Sequence, residues 1–235
     1  MAVSSNSLFH FTNKYEYLVN ILQNGFRVRY CKEYGWGKNH IDFALPMVCF
    51  CDIPLSQIKE HTSFYGEFGI GISRQWISKN KNINPVQYVN HKSTEYSHIL
   101  KILTKLKNKK CDEIELRKLI LAKKISGKVS NKVGKIQFKK FYDEREWRYV
   151  PDNIESFLLP ISKDDKFNSV EQSKAIKECY LPIPPESIRY IIIPYEQSRS
   201  KIINTIEKIY SNYDKSILAV LFSRIISLEQ IKDDF

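Results

Sequence analysis

The sequence predicts an α+β fold. Strand-like and helix-like segments are mixed without the steady β-α alternation of a doubly wound sheet. No repeat of roughly 20–50 residues runs through the 235 positions. Hydrophobic residues make up 43% of the chain, with 14 Tyr and 13 Phe, which is ample for a core. The length suits one large domain, or one domain with an appendage.

The elements follow in order. Ser7-Leu-Phe-His-Phe-Thr12 alternates like a short strand. Asn13 is placed to cap a helix whose buried stripe is Tyr17, Leu18, Ile21 and Leu22, and Asn24-Gly25 ends it. Residues 29–42 read as a loop, since Gly35-Trp36-Gly37 is too permissive for regular structure. Pro46 to Cys51 is a buried strand, Asp52-Ile53-Pro54 a turn and Leu55 to Thr62 a helix. Phe68 to Ser73 is a strand whose Gly69 and Gly71 imply close backbone approach. Arg74 to Lys79 makes one or two helical turns, and Pro85 to Val89 another strand.

From Ser93 the texture changes. Ile99, Ile102, Leu103 and Leu106 recur at helical intervals, and Ile114, Leu116, Leu119 and Ile120 mark a second helix with basic outer positions. Residues 125–135 read as a loop, with strands returning at Phe138 to Phe141 and Glu146 to Val150. Tyr180 to Ile183 is a strand before Pro184-Pro185, and Ile188 to Ile193 is the clearest strand of all. Ser200 to Asn212 is an amphipathic helix, Ser216 to Phe222 reads as the last buried strand, and Ile225 to Ile231 closes the chain.

Charge is uneven. Of the net +11, the whole excess sits between Lys101 and Lys140, where 14 Lys or Arg face three acids. Such concentration points to a polyanion partner, nucleic acid above all, because each neutralised phosphate releases counterions. A solvated helical face with a lysine loop is the plainer alternative. No aromatic residue interrupts the stretch before Phe138, so stacking platforms are not evident within it.

Several classes fall away. No apolar run approaches the ~18 residues of a membrane span. The first six residues lack the basic-then-apolar layout of a signal peptide. A cytoplasmic protein is expected, and the five scattered cysteines agree with reduced thiols. Cys49-Phe50-Cys51 has no second pair to complete a zinc site, and His61, His91 and His98 lie apart, so no metal is expected. Gly69 and Gly71 make neither a phosphate loop nor a dinucleotide fingerprint.

Phe141 to Val150 holds the densest chemistry. Glu144, Glu146 and Arg148 stand at every second position, so on a strand they project together, with Arg145, Trp147 and Tyr149 opposite. This is either a rigid carboxylate pair beside a guanidinium or a salt-bridged structural strand.

Three segments form a pattern: Leu8-Phe-His-Phe-Thr12; Pro46-Met-Val-Cys-Phe-Cys-Asp-Ile-Pro-Leu55 with Tyr65-Gly-Glu-Phe-Gly-Ile-Gly-Ile72; and Glu144-Arg-Glu-Trp-Arg148. Together they resemble the AbiGi-type abortive phage-resistance family, described as the antitoxin partner of a bacterial system. The opening strand also looks like the first strand of ADP-ribosyltransferases, including DarT-like enzymes that modify DNA. That second resemblance implies a split β-sheet core with flanking helices, one domain over residues 1–235 and a lysine-rich helical insertion at about 95–137.

It also implies NAD as substrate. His10 matches the first-strand histidine that bonds a ribose, and Phe50 falls where an aromatic side chain meets nicotinamide, although a tyrosine is more usual there. Thr12, Tyr65 and Arg148 would complete the cofactor contacts, Arg148 either holding a phosphate or neutralising the two acids. Glu146 falls at the third-motif glutamate, where a carboxylate stabilises an oxocarbenium-like centre. Glu144, two residues earlier, would take the acceptor's proton. Plainer readings stand beside these: His10 as a hydrogen-bonded core histidine, Phe50 as a core ring, and Asp52 as a helix cap. The functions expected are therefore ADP-ribose transfer to nucleic acid in phage defence, or a non-enzymatic antitoxin that silences a partner toxin.

Overall fold

A computed structural model describes residues 5–37, 41–108, 110–130, 136–152, 159–161, 176 and 179–234. Strand β1 (Ser7–Thr12) sends Leu8 to one face and Phe9 and Phe11 to the other, all three buried. Helix α1 (Tyr15–Asn24) buries Leu18, Ile21 and Leu22 and ends at Gly25, whose φ of 86° suits glycine. Its N-cap is Lys14 rather than Asn13, and no side chain caps it.

After β2 (Phe26–Arg27), the segment expected as a loop is a hairpin, β3 (Arg29–Trp36) with the first half of β4 (Ile41–Cys51). The reason is tertiary. Trp36 is fully buried and stacked on Tyr96 at 5.6 Å, whose hydroxyl accepts the Gly37 N–H at 2.9 Å.

Helix α2 (Ile58–Tyr65), strand β5 (Phe68–Ser73) and the short α3 (Arg74–Ile77) follow. On β5, Gly71 lies opposite Phe9 and Gly69 opposite Phe11. A Cβ on Gly71 would stand 2.8 Å from the Phe9 ring and 2.9 Å from the Tyr190 ring. Gly71→Ala should therefore overpack this spot and cost about 1–3 kcal/mol. The change would be read as a lower urea midpoint with an unchanged m-value.

The strand expected at 85–89 is two, β6 (Ile83–Pro85) and β7 (Gln87–Val89). Helices α4 (Thr94–Lys107) and α5 (Glu113–Leu121) begin at Ser93 and Asp112, the latter in a capping box with Glu115. Strand β8 (Ala122–Lys124) then pairs in parallel with β7. Part of the loop expected at 125–135 is instead strand β9 (Ser126–Ser130), antiparallel to β10 (Ile136–Lys140); residues 131–135 lie outside the described residues.

The chain continues with β11 (Glu146–Tyr149), β12 (Leu159–Ile161), β13 (Tyr180–Leu181) and β14 (Ile188–Ile193). Helices α6 (Arg199–Ile209) and α7 (Lys215–Ser223), strand β15 (Ile225–Ser227) and helix α8 (Leu228–Asp234) complete it. Helix α7 corrects the expected last strand. Asp214 accepts the Ser216 N–H at 2.7 Å, and Ile217, Leu218, Leu221 and Phe222 pack inward at helical spacing. A short apolar run does not by itself distinguish the two.

Among the described residues, one mixed sheet runs β15-β14-β5-β1-β4-β11-β6, with β3 and β12 on the first half of β4. Strands β14 and β15 are parallel and their neighbours antiparallel, which makes the fold α+β. Strand β1 pairs with β5 over six residues but with β4 only at Phe9–Cys51, so the sheet nearly parts there.

One face packs Leu8, Val48, Phe50, Ile70 and Ile191 against α1, α6 and α7. The other carries two separate cores. Phe9, Phe11 and Ile53 meet Ile58 of α2 and Leu228 of α8, while Trp36, Phe43 and Leu45 meet Leu103 of α4 and Leu119 of α5. The basic stretch therefore buries an apolar side of its own. No described helix is long and apolar enough to cross a membrane.

Candidate active site

The registers Phe9–Cys51, Glu146–Cys51 and Arg148–Cys49 put Glu146 and Arg148 on the two-core face. They lie between the cores. Glu144 does not share their strand. It ends a 3-10 turn, Phe141–Glu144, and Arg145 follows at φ 45°, a left-handed conformation uncommon for a residue with a Cβ. The Arg145 carbonyl accepts the Asp52 N–H at 3.1 Å, which ties the turn to the end of β4. So the expected three-residue face is two residues on a strand and one on a turn.

The turn still brings both carboxylates to one lysine. Lys123, from β8, donates to Glu146 and stands 3.6 Å from Glu144. Lys139, from β10, lies 2.6 Å from Glu144, which also accepts the Tyr65 hydroxyl at 2.5 Å. Arg148 is fully buried. Its Nε donates to Glu146 at 2.7 Å, and its terminal nitrogens donate to the Glu33 carboxylate and the Ile120 carbonyl. Three carboxylates thus meet three cations.

Burial alone would push the Glu146 carboxyl up. The charges of Arg148 and Lys123 outweigh it and hold the group at about 2. Glu144 is lowered in the same way, against burial, by Lys123 and then Lys139. Burial works to strip Lys123 of its proton, but Glu146 keeps it charged. The Tyr65 phenol is raised by burial and by Glu144, so it remains a donor.

A cavity of about 220 Å³ opens where β1 and β4 part. Strand β1 lines it with Phe9, His10 and Phe11, strand β3 with Cys31, Lys32 and Glu33, and β4 with Cys49, Phe50 and Cys51. His61 and Tyr65 of α2, Lys123, Glu144 and Glu146 close it. The cysteines are free thiols.

His10 leaves β1 on the face opposite Glu146, its ring against Phe26 at 5.1 Å and Phe50 at 6.0 Å. Both residues reach the cavity because the strands have separated. The His10 Nδ1–H donates to the Cys49 carbonyl at 2.8 Å, and burial lowers the ring's pKa, so Nε2 is an acceptor. Phe50 is only 2% exposed and meets its neighbours edge-on, as a core ring does.

Two expected cofactor contacts lie outside the lining. Thr12 sits at the far end of β1, with its backbone pressed against Gly66. Arg148 is fully buried, outside the cavity lining, and donates to three internal acceptors, Glu146, Glu33 and the Ile120 carbonyl. Of the two acids on the face expected from the sequence, Arg148 pairs with Glu146 and not with Glu144, and Glu33 is its second carboxylate.

Sequence reading missed Glu33, hidden in the expected loop, and counted Lys123 and Lys139 as surface charge. In the sequence His61 reads as isolated from the other histidines. A signal for it existed: Ile58, His61, Thr62 and Tyr65 are spaced as one stripe of α2. Lys123 has no local signal, because the pairing of β8 with β7 turns it inward.

No solved structure matches the chain. A family model described as "Putative abortive phage resistance protein AbiGi, antitoxin" matches residues 24–194. The abortive phage resistance protein AbiGi of Lactococcus lactis subsp. cremoris is 31% identical over 226 residues, covering 83% of this chain and 90% of the relative. By both measures, this chain belongs to the AbiGi family of abortive phage resistance proteins.

Proposed function

We propose that the protein acts in phage defence by holding the nicotinamide–ribose end of NAD in this cavity and transferring ADP-ribose to a target. One observation carries the reading: His10 and Glu146 line the same small volume at the parting of β1 and β4. At about 220 Å³ the cavity is smaller than the ~300–1,000 Å³ of drug-sized clefts. It would take one end of a dinucleotide, with the rest outside.

In this reading the neutral His10 Nε2 accepts a ribose hydroxyl. As the bond between ribose C1′ and the nicotinamide nitrogen breaks, nicotinamide leaves neutral with the electron pair. Glu146, ionised, stabilises the positive charge left on the sugar. The acceptor's nucleophile bonds to C1′ and its proton passes to Glu144. Both carboxylates must first loosen their hold on Lys123, which lies beside them.

Nicotinamide release from NAD, measured with purified protein and nucleic acid, tests the reading. Glu146→Gln is expected to lower it at least about a hundredfold. His10→Asn gives a second variant should the first fold poorly. Equal release by parent and folded variants would overturn the enzyme reading.

A second reading is favoured by the ion pairs themselves. Each carboxylate of the cluster already holds a cation, as in a fold that serves as a scaffold, and the family description names an antitoxin. A stoichiometric complex with a co-expressed toxin that restores growth and survives Glu146→Gln supports this alternative.

A further inference from the structure

Beside the cavity lies a larger hollow of about 730 Å³, and the two share His61 and Glu144. One wall comes from the segment around α2, with Ile53, Lys59 and Phe64, and the other from β10 and the turn after it. Phe138 and Lys140, two apart on β10, share a strand face. Phe138 is 70% exposed. Lys59 and Lys140 are exposed as well.

Lys139 differs from these two. Its Nζ lies 3.8 Å from the Phe64 ring centroid and 2.6 Å from Glu144, so its charge is directed inward. The open side of the hollow therefore presents one bare aromatic ring together with two exposed lysines and one exposed acid, Asp143. A free phenyl ring offers a π-face to an unpaired base, and lysines in the same lining offer positive charge to its phosphates. A duplex keeps its bases stacked on one another and could not use the ring. A protein partner would call for a broader apolar patch than one ring among charged side chains.

We propose that this hollow holds single-stranded nucleic acid, a base stacked on Phe138 and the phosphates on Lys59 and Lys140. Binding here does not depend on transferase chemistry. If the neighbouring cavity does hold NAD, the strand would supply the acceptor across the wall made by His61 and Glu144, and that step alone rests on the reading above.

Fluorescence anisotropy with labelled 12-nucleotide DNA and RNA strands, and with a 12-base-pair duplex, tests the proposal without NAD. Single strands are expected to bind at least about tenfold more tightly than duplex, with affinity falling as salt rises. Phe138→Ala should weaken single-strand binding about tenfold. Lys59→Glu with Lys140→Glu should weaken it further and flatten the salt slope. Comparing DNA with RNA identifies the natural strand. The assay contains no NAD, so failure of binding here and failure of the transferase reading are separate outcomes. Parental affinity in both hollow variants, or duplex bound as tightly as single strand, would overturn the proposal.

Discussion

Replacing Arg148 with alanine is expected to cost about 3–5 kcal/mol of folding stability, enough to unfold a protein of ordinary margin. The guanidinium is fully buried and joins Glu146 of β11, Glu33 of β3 and the last turn of α5 through the Ile120 carbonyl. Removing it takes a cation from two acids. Glu146 keeps Lys123, but Glu33 loses the ion pair shown for it. Urea unfolding at pH 7 measures the loss.

The defect should also depend on pH. Without Arg148, the charge that holds Glu146 down is reduced, so burial raises its pKa and the carboxyl takes up a proton at milder acidity. Parent and variant stabilities should therefore converge as pH falls. Adding Glu146→Gln to Arg148→Ala should recover part of the loss, since one of the two acids deprived of the guanidinium is then uncharged. A loss below about 1 kcal/mol in the single variant would show that the cluster is wetter and looser than its burial implies.

Legibility in this chain follows the range of the forces. Strand β1, the stop of α1 at Gly25, the close approach at Gly71 and the strand β14 are set by neighbours in sequence, and their residues announce them. The β3–β4 hairpin is anchored by Tyr96, some sixty residues downstream, and local glycines suggested only a loop. Alternation placed Glu146 and Arg148 on one face correctly. It failed at Glu144 because a bond from Asp52 to Arg145 fixes a turn there.

The same holds for charge. Lysines at 123 and 139 look like any others in a basic run, and only the pairing of distant strands turns them inward. Composition counts charges but does not say which way they face. The positive stretch is thus partly internal neutralisation, and its outward remainder includes Lys140 beside an exposed ring.

Acid should destabilise the protein in two steps, the first set by histidine. Burial holds the His61 ring at about 4, against 6.5 for a free imidazole. Its neighbours act against one another: Glu144 raises it, while Lys139 and Lys123 lower it. His10 is lowered too, by burial first and slightly by Arg29, against its bond to the Cys49 carbonyl. In the unfolded chain both rings take up protons below about 6.5, whereas the folded state resists.

The stabilisation from a neutral His61 is therefore complete above 6.5 and lost as pH falls from 6.5 to about 4. At about 1.4 kcal/mol per pH unit the loss is on the order of 3.5 kcal/mol. Glu146 supplies the second step. Its carboxylate contribution is present above 4.5 and lost as pH falls towards about 2. Urea midpoints between pH 8 and pH 3 separate the two. His61→Gln should flatten the upper slope and leave the lower one, because glutamine has no proton to gain. An unchanged slope between pH 6.5 and 4 in that variant would place His61 in water in the folded protein, and the wall it forms between the two hollows would go with it.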